Sequence, residues 1–225
     1  MAPRPGRPAE PDMAAPRADM VRELAERGCG DGRVLDALGA VPREAFVPVG
    51  DRARAYADRP LPIGAGQTIS QPHMVAVMLE ALALTPADRL LEVGSGSGYA
   101  AAVASRLCAS VVGVERIEAL AAASTERLRR LGYDTVTVVV ADGTGGWPPA
   151  APYDAILVSA GGPVVPPALL EQLAAGGRLV MPVGGPARQD LVRLRRVAGL
   201  IVEERLGPVA FVPLVGAAGW PEPST

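Results

Sequence analysis

Residues 90–99 read LLEVGSGSGY. An apolar run, Leu90 to Val93, enters a turn with glycine at 94, 96 and 98, and an alanine-rich stretch from Ala100 to Cys108 follows. The pattern predicts a buried strand, a tight loop and a helix. A strand that delivers such a loop to a helix N-terminus turns backbone N–H groups toward a ligand, which is how open α/β sheets grip nucleotide-like cofactors. Two phosphate-binding patterns are excluded. G-x-G-x-x-G would need glycine at 99, where Tyr99 stands, and G-x-x-x-x-G-K-[ST] does not occur.

Downstream, strand and helix signals alternate, which predicts a parallel sheet covered by helices. Strands are expected at 90–93, 110–115, 135–142, 153–160 and 178–184, and helices at 100–108, 117–131 and 166–175. Two further strands, LVRLRRV (191–197) and one near VAFVPLV (209–215), are expected to add an antiparallel edge. Upstream, Asp19 is expected to cap a helix over 20–27 that ends at Gly28, and Asp31 one over 32–40. Phe46 and Val47 of VPREAFVP are candidate anchors. Residues 55–70, AYADRPLPIGAGQTIS, have no period and run into a helix predicted over 72–84; an irregular stretch of this length inside a compact chain is usually functional. Residues 1–18 and 221–225 are expected to be tails, 1–18 disordered, around one domain over 19–220, divided into 19–84 and 85–220.

The bulk properties fit this outline. The chain has 225 residues, 49% of them apolar, enough for a full core. A net charge of −2 gives no footprint for nucleic acid, and no uncharged apolar run is long enough to span a bilayer. The Pro/Arg-rich start has no apolar h-region, so no secretory leader is expected. Two unpatterned cysteines, Cys29 and Cys108, suggest a reducing cytoplasm.

Ligands of a parallel sheet bind at the carboxyl ends of its strands, where the strand order reverses. That rule gathers Gly94–Gly98, Glu115, Asp142 and Ser159–Gly162 around one pocket. Glu115 can reach ribose hydroxyls or be a solvated strand-end carboxylate. Asp142 can accept from an adenine amino group while Gly143 lets the ring lie on backbone, or the pair can be an ordinary turn. Taken together these strand ends favour S-adenosylmethionine (SAM), whose amino-acid tail is zwitterionic, with NAD the weaker alternative. No obvious base is available for the acceptor. His73, the only histidine, reads better as a half-buried structural residue. An acceptor that is already ionised, such as a carboxylate, suits this inventory, with catalysis by alignment. Thr68 and Ser70 offer hydroxyl donors; Ser70 reads equally as a helix cap.

At these residues the chain resembles the protein-L-isoaspartate (D-aspartate) O-methyltransferase family. The likeness runs from about Met20 to Trp220 and is carried by AYADRPLPIGAGQTISQPHMVAVMLEAL, LLEVGSGSGYAAAVAS, ADGTGGWPPAAPYDAILVSAG, PPALLEQLAAGGRLVMPVG and FVPLVG, of which GQTISQP is the most specific. It implies an α/β, doubly wound, Rossmann-like SAM-dependent methyltransferase fold: a mostly parallel sheet with an antiparallel edge and added N- and C-terminal elements. It implies Ser70 as the active-site serine. It implies SAM contacts from Gln67, Thr68, Ile69, Glu92, Gly94, Ser95, Gly96, Gly98, Glu115, Arg116, Asp142 and Gly143, and no metal. The implied reaction is methylation of the α-carboxylate of L-isoaspartyl residues in damaged proteins, by a cytoplasmic monomer with no nucleic-acid or membrane partner. Two departures stand out: PVAF precedes PLVG where the family more often has arginine beside the phenylalanine, and SAGGPVV replaces an alanine-rich run. The alternatives are aspartate methylation in peptide biosynthesis and a SAM binder without turnover.

Overall fold

A computed structural model describes residues 13–222. Helices α1 (Ala14–Glu26), α2 (Gly32–Ala40) and α3 (Pro72–Leu82) form the N-terminal part, with the short hairpin strands β1 (Leu61–Gly64) and β2 (Gln67–Ile69) before α3. Then come β3 (Arg89–Val93), α4 (Tyr99–Ala104), β4 (Ser110–Glu115), α5 (Glu118–Arg130), β5 (Val136–Val140), β6 (Tyr153–Val158), α6 (Pro167–Glu171), β7 (Leu173–Gly185), β8 (Arg188–Val197) and β9 (Leu200–Val209).

The main sheet has seven strands in the order β5-β4-β3-β6-β7-β8-β9. It is parallel from β5 to β7, and β8 and β9 add an antiparallel edge. The chain winds outward from β3 to β5 and returns to lay β6 against the other side of β3, so the order reverses between β3 and β6. One apolar cluster joins α1–α4 to one face of the sheet, and a second, with Ile156, Leu169 and Met181, fills the other.

Several boundaries differ from the sequence reading. Helix α1 starts at Ala14, so residues 14–18 are helical and not part of a tail; residues 1–12 and 223–225 lie outside the described residues. Alanines favour that extra turn, Pro16 sits in the first turn where its missing N–H costs nothing, and Arg17 anchors it by donating to the Tyr56 hydroxyl at 2.8 Å and to Glu44 at 3.2 Å. Asp19 is therefore inside the helix, bonded to Arg22, and caps nothing. Asp31 does cap α2, accepting from the Arg33 N–H at 2.9 Å. Helix α4 stops at Ala104 and α3 at Leu82, where Ala83 turns left-handed (φ +46°). The helix expected over 166–175 stops at Glu171, because Leu173 already pairs with Tyr153 as the start of a long β7. The last strand ends at Val209, and the FVPLVG segment leaves the sheet to fold over the strand ends. Gly161 exchanges backbone bonds with that segment, its N–H donating to the Val212 C=O and its C=O accepting from the Leu214 N–H, both at 2.8 Å.

Candidate active site

The turn after β3 is tied to its neighbour strand. The N–H groups of Gly94 and Ser95 donate to the Val114 carbonyl at 2.8 and 3.2 Å, and that of Gly96 donates to Glu115 Oε2 at 2.9 Å. Glu115 Oε1 accepts from the Ile117 N–H at 2.9 Å. A carboxylate at the end of β4 thus holds both its own loop and the glycine turn while remaining in the wall of a cavity of about 240 Å³. Gly94, Arg116, Gly143 and Ser159 line the same cavity, and Arg116 pairs with Glu222. Gly96 has φ +50°, and a Cβ there would meet the tip of Ile63 at 3.0 Å. Gly98 opens α4.

Asp142 is held by its own loop and by the C-terminal segment. Its Oδ1 accepts from the Thr144 N–H (2.9 Å) and hydroxyl (2.7 Å), and its Oδ2 from the Ala217 N–H (2.7 Å). The side chain clips the C-terminal segment onto the strand ends and does not line the cavity; only Gly143 of the pair does. Burial works against the charge, but these donors hold the Asp142 carboxyl below its usual range. Gly143 is required by close approach, since a Cβ would come within 2.5 Å of Val93 Cγ1.

The acceptor side is built by the hairpin, which the sequence reading left irregular. Its Gly64-Ala65-Gly66 turn carries three positive φ angles and puts Ala65 and Gln67 on the cofactor cavity. Thr68 and Ser70 instead line a second cleft of about 520 Å³, bounded by Pro60, Gln71 and Met74 and closed opposite by residues 208–212. Ile69 points inward and is buried. Ser70 is no cap: the residue before α3 is Gln71, without a capping side-chain bond, and the first-turn N–H of His73 goes to Asp58 Oδ1 at 2.9 Å. The Ser70 hydroxyl makes no hydrogen bond among the described residues. His73 does not line the cleft.

Ser159, just past the end of β6, lines both cavities and forms with Val212 the wall they share. It belongs to the site through its place beside β3, where the strand order reverses. Its Oγ donates to Glu92 Oε1 at 3.2 Å. Glu92 is 1% exposed, and its Oε2 has no partner. Burial pushes its carboxyl up to about 8, the Ser159 bond opposing the rise and nearby Glu115 adding to it. A space of about 30 Å³ lies beside it, also lined by Ser70, Ser95 and Tyr99, and the Ser95 Oγ is unpaired too. Unsatisfied acceptors facing a small gap next to a glycine turn suit the ammonium of a SAM tail.

These features define a SAM-dependent methyltransferase: a doubly wound sheet, a non-phosphate glycine turn at its switch point, and an acidic residue closing the next strand. The comparisons narrow the class. The sequence profile of protein-L-isoaspartate(D-aspartate) O-methyltransferase (PCMT) matches residues 15–219. A protein-L-isoaspartate O-methyltransferase of Roseiflexus castenholzii is 57% identical over 209 residues, 93% of this chain and 96% of the relative. A solved structure of a protein-L-isoaspartate O-methyltransferase superposes with a TM-score of 0.82 at 30% identity, covering 90% of this chain and 67% of the other. A putative Plasmodium falciparum PCMT solved with S-adenosyl-L-homocysteine has a TM-score of 0.77 at 29% identity, covering 87% and 96%. The chain belongs to the protein-L-isoaspartate O-methyltransferase family.

Two outcomes are expected. Glu92 has a folded-state value near 8 against about 4.5 when unfolded, so the unfolded state loses its proton first and stability falls as pH rises between them. Glu92→Gln should therefore melt higher than wild type at pH 8, by about 3 °C or more, with the gain shrinking toward pH 5. Thermal melts of the ligand-free protein at both pH values check this. Gly96→Val forces a β-branched residue to φ +50° and should weaken S-adenosylhomocysteine binding at least about tenfold by calorimetry.

Proposed function

We propose that the chain methylates the α-carboxylate of L-isoaspartyl residues in damaged proteins. The observation that carries this is the acceptor cleft: none of its lining residues is ionisable, and it meets the cofactor cavity at Ser159. An amine or phenol acceptor would need a base there. A carboxylate with a pKa near 4 arrives ionised and needs only to be aimed.

SAM supplies an electrophilic methyl group when bound. Gly94, Ser95, Gly96 and Gly98 would surround its amino-acid tail, Glu92 would face the ammonium, and Glu115 and Arg116 would lie by the ribose. Gln67 and Gly143 would flank the remainder. The free hydroxyl of Ser70, with Thr68 beside it, would hold one acceptor oxygen and leave the other to attack. Once the ester has formed, methoxide is a better leaving group than oxide. The neighbouring amide nitrogen can then close a succinimide, whose hydrolysis returns some normal aspartate. Uncharged cleft walls, with Thr68, Ser70 and Gln71 among apolar side chains, suit a substrate recognised by an extra backbone methylene. The same reading makes the enzyme a cytoplasmic monomer, its two free cysteines in keeping with that compartment.

The test is methyl transfer to an isoaspartyl peptide beside its normal-aspartyl twin. Base-labile methanol from the isoaspartyl peptide alone is expected. Methylation of the normal peptide would contradict repair, and cofactor binding without either product would contradict catalysis. Ser70→Ala should lower kcat about tenfold or more with unchanged S-adenosylhomocysteine affinity.

A further inference from the structure

Arg43 is the largest fully buried side chain, 0% exposed, on the short 3₁₀ turn Arg43–Phe46 of the VPREAFVP segment, to which the reaction assigns no task. Its Nε donates to the Ala55 carbonyl and one Nη to the Ser70 carbonyl, both at 2.7 Å. The guanidinium carbon lies 4.7 Å from the centre of the Tyr99 ring, and Tyr99 is the group that most favours its charge. No carboxylate forms an ion pair with Arg43 among the described residues. Asp58, which acts on it electrostatically, is committed to the His73 N–H and to Arg27. A buried guanidinium without a counter-ion carries a desolvation cost that an apolar side chain of the same volume would not.

What the charge faces explains its retention. The guanidinium holds the carbonyl of Ser70, a residue of the cleft wall, and the cleft itself offers no ionisable residue. A cation inside the cleft would take up the acceptor's lone pairs, the electrons that must attack carbon. Behind the wall, in a low-dielectric setting, it attracts an anion and leaves those electrons free. We propose that Arg43 is the counter-charge of the acceptor: a positioning residue that draws the isoaspartyl carboxylate to Ser70 through the cleft wall. This rests on the carboxylate reading of the acceptor given above. As the methyl group moves, carboxylate and sulfonium neutralise one another, so the pull on the anion is fullest before the transition state. The effect therefore belongs in KM, and its removal leaves kcat unchanged or modestly higher.

The experiment compares wild type, Arg43→Gln and Arg43→Lys for KM and kcat with an isoaspartyl peptide, and for S-adenosylhomocysteine affinity by calorimetry. Arg43→Gln should raise the peptide KM about tenfold, with kcat and cofactor affinity within about twofold, and Arg43→Lys should restore most of the loss. A fall in kcat at unchanged KM, or equal impairment by lysine and glutamine, would overturn the proposal and leave Arg43 a structural tie. If Arg43→Gln does not melt cooperatively, wild type and Arg43→Lys decide through a neutral isoasparaginyl peptide. Both should bind the carboxylate peptide about tenfold more tightly than the amide in the presence of S-adenosylhomocysteine. Equal binding of the two peptides by wild type would contradict the proposal. Wild-type turnover in the same series keeps the outcomes apart, since its absence would count against the carboxyl-methyltransferase reading itself.

Discussion

The site depends on one carboxylate meeting two backbone N–H groups. Glu115 takes the Gly96 N–H on one oxygen and the Ile117 N–H on the other, each at 2.9 Å, and so fixes the glycine turn of β3 to the end of β4. A turn rich in glycine is costly to order, and these bonds hold it before any ligand arrives. Everything downstream uses that fixed edge. The cofactor cavity is measured from it on one side, and Ser159 separates it from the acceptor cleft on the other.

Neighbouring strand ends put two glutamates to different uses. Glu115 has a backbone donor for each oxygen. Glu92 has one hydroxyl donor and an oxygen left bare, so burial favours its neutral form. A neutral Glu92 does not repel an incoming carboxylate, and an ammonium placed against its bare oxygen draws out its negative charge. On the proposed reading the site is ready for a cation on the glycine side and an anion on the Ser70 side. Neither partner needs to surrender a proton to an enzyme base.

The sequence carried the parallel core clearly. Strands buried on both faces read as unbroken apolar runs, so LLEV and SVVGVE lie where their composition puts them, and the carboxyl-end rule then places Glu115 and Ser159. Short-range signals served less well. The β1–β2 hairpin has strands of four and three residues interrupted by Pro62 and three turn residues, too short to show alternation. Gly176-Gly177 looks like a helix stop but lies inside β7, and the last strand ends at Val209, before FVPLVG begins. The bond from the Ala217 N–H to Asp142 had no signal in the sequence, because the two are 75 residues apart and no local pattern encodes the pairing. Arg43 was invisible for the same reason: its meaning comes from the Ser70 carbonyl, 27 residues on.

The central claim is that a ready-made anion is aimed across the Ser159 wall without a base. A crystal structure with S-adenosylhomocysteine and an isoaspartyl peptide bound together tests it most directly. One carboxylate oxygen should accept from the Ser70 hydroxyl while the other points at the cofactor sulfur, with no ionisable side chain bonded to either. A carboxylate bound to His73, or a peptide seated outside the cleft between Thr68 and Phe211, would contradict it.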